Sequence, residues 1–119
     1  MPRTVLITEA NGSLGLGFVQ SFLASHPDYT LVATVRHTSP EADPNTAKLF
    51  RLIAKYNTRR VFVERLDLGH LAAVRAFTDT IIDRVSRGEL PSISAVVCNA
   101  FAWSLNGQRR TGDGYEATF

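Results

Sequence analysis

The sequence predicts an α/β fold: a parallel sheet wrapped by helices, in the strand order 3-2-1-4 that makes half of a doubly wound sheet. Three observations carry this. Short, continuous apolar runs of strand length recur along the chain. Segments with helical spacing of apolar residues separate them, so that strand and helix alternate strictly. The first apolar run enters a cluster of small residues, "TEANGSLGLG", and a helical period begins inside that cluster. Parallel neighbours need crossover connections, and right-handed crossovers leave few topologies open.

Each element has its own local reason. "TVLIT" (Thr4 to Thr8) is apolar without alternation, the pattern of a strand buried on both faces. From Leu14 to Ser25 the period becomes helical, with Leu14, Phe18, Phe22 and Leu23 on one side and "HPD" ending the helix near His26. "TLVATV" (Thr30 to Val35) is a second buried strand. After the loop "HTSPEADPN", Asp43 is placed to cap a helix whose first residue is Pro44. Leu49, Leu52, Ile53 and Tyr56 line that helix. "RVFVERL" (Arg60 to Leu66) is the third strand, and Leu68 to Arg87 the third helix, with Gly88 suited to its C-terminal cap and Pro91 blocking continuation. "SAVVCNA" (Ser94 to Ala100) is the fourth strand. A loop from Trp103 and the first turns of another helix, "DGYEATF", complete the pattern. No internal repeat, low-complexity stretch or inter-domain linker interrupts it, and residues 1–119 read as one domain.

Composition narrows the function classes. A chain of 119 residues with 45% apolar and 20% charged residues is an ordinary globular domain that needs no disulfide or metal staple. The formal charge of +2 is small. The basic pairs Arg59-Arg60 and Arg109-Arg110 read as solvated surface, not as a nucleic-acid footprint. Cys98 is the single cysteine and, in an apolar run, reads as a buried small residue. His26, His37 and His70 lack metal-ligand spacing. No run reaches the length of a membrane span, and the start has no signal-peptide shape, so the cytoplasm is the expected compartment.

The glycine cluster is the candidate site. A parallel strand ends facing the N-terminus of the following helix, where free amides and the helix dipole favour an anion. Glycines let the backbone approach a pyrophosphate and let the helix pack closely on the sheet. The motif has the required context, after a buried strand and opening a helix. The amides of Asn11 to Leu14 are expected to aim at one anion-sized space. The plain alternative is a tight strand-to-helix turn that binds nothing.

These residues, with three later segments in order, resemble the N-terminal half of a short-chain dehydrogenase/reductase, a family with a Rossmann-like fold. Its T-G-x-x-x-G-x-G loop overlays "TEANGSLG", with Thr8, Ala10, Asn11, Leu14 and Gly15 matching the usual form; Gly12 and Ser13 fall within it. "LDLGHLAAVRAF" resembles the Asp-Leu segment, which implies that Asp67 meets the adenine ring and that Leu68 lies near it. "VVCNAFA" resembles the Asn-Ala-Gly segment, which implies that Asn99 and Ala100 border the adenosine ribose. "TGDGYEATF" resembles the opening of the helix that carries the family's catalytic asparagine. The resemblance implies a nicotinamide dinucleotide as partner and carbonyl or alcohol hydride transfer in the full-length family. Taken singly, Asp67 is equally readable as a helix cap, and Asn99 as a residue satisfying local backbone groups.

The departures bear on binding. Glu9 and Ser13 replace two of the three loop glycines, and Phe101 replaces the glycine of Asn-Ala-Gly. A carboxylate about 4 Å from a phosphate charge costs about 1 kcal/mol in water-like surroundings and up to about 4 where partly desolvated. The alternative is that Glu9 swings toward solvent. After the second strand stands "TVRHTS", with no acid until Glu41. An acid there would hold the ribose hydroxyls of NAD, whereas Arg36 suits a 2′-phosphate, so NADP is expected in preference to NAD. The alternative for Arg36 is an ordinary surface position. No tyrosine here has a lysine four residues on, since Tyr29, Tyr56 and Tyr115 are followed by Ala33, Arg60 and Phe119. No catalytic residue is therefore assigned. The expectation is an inactive cofactor half, truncated before the catalytic segment and self-associating through its fourth strand as a sheet edge. The competing reading is a non-catalytic, degenerate nucleotide-binding or interaction module.

Overall fold

The structure, a computed structural model, describes residues 3–56 and 60–99. Its elements run β1 (Thr4–Ile7), α1 (Ser13–Ser25), β2 (Thr30–Val35), α2 (Pro44–Ala54), β3 (Val61–Arg65), α3 (Leu71–Ser86) and β4 (Ile93–Val97). The four strands form one parallel sheet in the order β3-β2-β1-β4, as the sequence predicts. Ala100, Phe101, the expected loop from 103 and the expected helix at 113–119 lie outside the described residues.

The two central strands explain the unbroken apolar runs. Every residue of β1 and of β2 is buried, because helices cover both faces. Val5, Ile7, Leu31, Ala33 and Val35 pack with Val19, Phe22 and Leu23 of α1 and Leu49 of α2. The alternate residues Leu6 and Val32 pack on the opposite face with Ile81 of α3 and Leu90. The side-chain period of 2 along each strand thus feeds two separate cores. On the second face, Arg84 pairs with Glu64 at 2.9 Å and lies 5.0 Å over the Phe62 ring, closing the rim of that core.

The caps follow the expected chemistry. Asp43 accepts from the Asn45 amide at 2.9 Å, with Pro44 next in line. Beyond α3, Gly88 adopts φ +79, a left-handed conformation that suits glycine, and the Glu89 amide reaches back to the Arg84 carbonyl at 2.9 Å. α3 begins at Leu71, three residues later than the sequence suggests, because Asp67 folds the intervening residues into a turn by accepting from the Gly69 amide at 2.9 Å.

β4 departs from expectation. It is short, pairs with β1 alone among the described strands, and has exposed or half-buried residues throughout. Cys98, expected inside, is exposed. The apolar run "AVV" is that of an interior strand, but among the described strands it has one neighbour, β1, and its burial follows that neighbour and not the composition. No helix among the described residues is long and apolar enough to cross a membrane.

Candidate functional site

The site lies where parallel strands end and α1 begins. Register sets it up: Ile7 stands opposite Ala33 on β2 and opposite Val97 on β4. Residues just past these positions, Thr8 to Asn11, Arg36 and Asn99, are therefore delivered to one edge of the sheet.

Asn99 stitches the fourth strand to the loop. Its backbone amide donates to Thr8 Oγ1 at 3.0 Å, and its Nδ2 donates to the Glu9 carbonyl at 3.2 Å. On the other side the Ala10 amide donates to the Thr34 carbonyl at 3.0 Å. Residues Thr8 to Ala10 are thus fixed from both neighbouring strands. Asn99 here satisfies loop backbone, the local role that its position allows.

The loop then turns sharply into α1. Gly15 is the close-packing glycine: a Cβ there would meet the Glu9 and Ala10 carbonyl oxygens at 2.6 and 2.7 Å. Gly12 is the N-cap in extended backbone and offers no side chain to the helix. The first helical residues, Ser13 and Leu14, are exposed, so the helix presents its leading amides outward without a capping side chain. Gly12's own amide is turned inward, to the Glu9 carbonyl at 3.2 Å, and so is not among the amides aimed at an anion. Leu14 is 81% exposed, an apolar side chain uncovered at the rim of the turn.

Asn11 also points elsewhere than the loop alone implies. Its Nδ2 donates to Thr46 Oγ1 at 3.1 Å and to Asp43 Oδ2 at 3.3 Å. Thr46, fully buried, donates its hydroxyl to the His37 carbonyl at 2.6 Å. Asn11 therefore ties the glycine loop to the start of α2 and to the loop after β2.

Between these parts lies a cleft of about 300 Å³, lined by Glu9, Asn11, Gly12, Arg36, His37, Asp43 and Asn45. Its size is at the lower end for small-molecule sites. Of these, Asn11, Gly12 and Arg36 are expected from the sequence as site residues, Asp43 only as a helix cap and Glu9 only as a departure, and His37 and Asn45 are not expected at all. The missed signal was topological: β1 and β2 are parallel neighbours, so the residues after both strands must share one edge.

Glu9 is the unexpected member. It is the one non-glycine residue with positive φ among those described, at 47°. Its carboxylate neither swings into solvent nor sits alone. It pairs with Arg36 at 3.3 Å across the cleft, with the Glu9 side chain 31% and the Arg36 side chain 62% exposed.

Asp67 and Leu68 follow β3 at the same edge, two strands from the glycine loop, and do not line the cleft. Asp67 accepts from the Gly69 amide and lies 3.7 Å from His70 Nε2, so its turn-forming role is visible directly. Leu68 is 41% exposed.

Comparison with known proteins agrees with this architecture. Among models of protein families, none matches the chain. The short chain dehydrogenase gsfK of Penicillium aethiopicum is 31% identical over 100 residues, which is 84% of this chain and 36% of that protein. The short-chain dehydrogenase iccH of Talaromyces variabilis is 30% identical over 119 residues, 98% of this chain and 32% of its own length. The NADPH-bound carbonyl reductase from chicken fatty liver superposes with a TM-score of 0.71 at 27% identity, over 88% of this chain and 36% of that one. The chain thus spans about a third of the length of the relatives it matches. The sheet order, the glycine turn and these likenesses together match the chain to the N-terminal part of short-chain dehydrogenases/reductases.

Proposed function

We propose that the chain binds a nicotinamide dinucleotide at the β1–α1 turn, NADP in preference to NAD, as the cofactor-binding part of a carbonyl or alcohol oxidoreductase. The observation that carries this is the turn itself: an uncapped helix N-terminus held tight against a buried strand by Gly15, with a guanidinium across an adjoining cleft. The exposed Leu14 gives an apolar surface for a ligand to cover. In this reading the Ser13 and Leu14 amides receive the pyrophosphate and Arg36 receives the 2′-phosphate by a charge-assisted fork. Thr8, Asn11, Gly12 and Gly15 shape and fix the turn. Asp67 and Leu68 are assigned to the adenine, and Asn99 and Ala100 to the adenosine ribose, on the family resemblance.

When bound, the nicotinamide supplies the hydride. The chain's own residues supply binding and orientation. A carbonyl reduction also needs a positioned, pKa-tuned proton donor. No tyrosine of the chain has a lysine four residues on, so these 119 residues by themselves bind without turning substrate over. A second reading, a non-catalytic binding or interaction module, is favoured by Glu9 at a glycine position with its carboxylate on Arg36.

Isothermal titration with NADP and NAD tests the proposal. NADP is expected to bind more tightly, by a margin that Arg36→Ala narrows. Tighter binding of NAD would contradict the role of Arg36, and binding of neither would favour the interaction module.

A further inference from the structure

We propose that Glu9 is a specificity-setting residue that acts by occupying Arg36, so that an incoming 2′-phosphate must displace a carboxylate already in place. The inference rests on the dinucleotide reading of the cleft and adds a competitor built into the chain.

Three observations carry it. First, the cleft holds one guanidinium, Arg36, and two carboxylates, Glu9 and Asp43, among its lining residues. Asp43 is committed elsewhere, to the Asn45 amide and to Asn11. Glu9 is the carboxylate that faces Arg36, at 3.3 Å. Second, the backbone holds Glu9 there. Its carbonyl accepts from the Gly12 amide and from Asn99 Nδ2, and residues on both sides of it are bonded to neighbouring strands. The root of the side chain is thereby fixed on the Arg36 side of the turn, within reach of the guanidinium. Third, φ of 47° is a conformation that glycine accepts freely and a glutamate does not. The chain keeps a disfavoured residue at the point from which a carboxylate reaches the cleft.

The consequence is unequal for the two cofactors. NAD has no 2′-phosphate and leaves the Glu9–Arg36 pair intact. NADP must break that pair and then place a phosphate beside the released carboxylate. Glu9 therefore lowers NADP affinity selectively, and the chain as it stands discriminates weakly between the two.

The test is a double-mutant cycle with Glu9→Gln and Arg36→Ala, titrating NADP, NAD, 2′,5′-ADP and 5′-AMP against each protein. Glu9→Gln keeps the side chain's size and removes its charge. It is expected to raise the NADP-to-NAD affinity ratio about five- to thirtyfold, the factor for releasing a partly exposed ion pair and removing a carboxylate–phosphate repulsion. The same shift is expected between 2′,5′-ADP and 5′-AMP, and a clearly smaller one in the Arg36→Ala background. Glu9→Gly, which also relieves the backbone, provides a second charge-free variant should the glutamine protein fold poorly. An unchanged ratio with NAD still bound would overturn the role of Glu9 and leave the nucleotide site standing. An equal rise in both Arg36 backgrounds would overturn the claim that Glu9 acts through Arg36. Failure of all four ligands to bind any variant would remove the nucleotide site, and this inference with it.

Discussion

Replacing Gly15 by alanine isolates the packing that shapes the turn. In an ordinary helix interior this substitution stabilises by about 1 kcal/mol, because glycine carries more backbone freedom in the unfolded chain. At Gly15 the new Cβ would lie 2.6 Å from the Glu9 carbonyl oxygen, 2.7 Å from that of Ala10 and 2.8 Å from the Ala10 carbonyl carbon. All three are backbone atoms of a loop bonded to β2 and β4, so no side chain can rotate away. Relief requires α1 to lift from the sheet, against a core containing Val19, Phe22 and Leu23. Overpacking of this kind costs about 1–3 kcal/mol, which outweighs or cancels the helix gain and leaves a net loss on the order of 1 kcal/mol. Gly17 is the internal control, since a Cβ there meets nothing within 4 Å. Thermal melting followed by circular dichroism reads both. Gly15→Ala is expected to lower Tm by about 3–5 °C and Gly17→Ala to raise it by a similar amount. A Gly15→Ala protein that melts at or above the parent would refute the claim that close backbone approach fixes this turn.

Three further outcomes are expected. Asp43→Ala removes the cap of α2 and one partner of Asn11, and should cost about 1 kcal/mol in urea unfolding with no change of slope. Val96 is 55% exposed on an edge strand, so the chain should self-associate through β4, and Val96→Lys should reduce the sedimenting mass; a monodisperse monomer at high concentration in the parent would count against this. Incubated with NADPH and a panel of ketones, quinones and aldehydes, the purified chain should leave the reduced-nicotinamide absorbance unchanged; turnover that survives repurification and is lost on mutating the glycine turn would show that a proton donor has been overlooked.

Most of the fold was legible because local signals agreed with one another. The unbroken apolar runs of β1 and β2 matched burial on both faces, Asp43-Pro44 marked a helix start, and Gly88 a helix end. Alternation and crossover handedness left few strand orders open, the observed one among them. What stayed hidden depended on neighbours. The "AVV" run cannot reveal that β4 has one neighbour among the described strands, so Cys98, expected in the core, is exposed. Asn11 reads as a phosphate-loop residue until α2 brings Thr46 and Asp43 within its reach. The pairing of Glu9 with Arg36 joins residues 27 positions apart, and only the β1–β2 register makes them adjacent. The glycine turn was visible as a motif, but the charge balance of the cleft beside it was a property of the β1–α1 and β2–α2 loops together.

The most direct measurement of the central claim is a titration of the isotopically labelled chain with NADP, followed by amide nuclear magnetic resonance. If the β1–α1 turn is a dinucleotide site, the largest saturable shifts fall on the Ser13, Leu14 and Gly15 amides, with smaller ones on Arg36 and Asn99 and none on the far ends of α1 and α3. Saturable shifts confined to residues away from the turn, or no shifts at millimolar NADP, would contradict it.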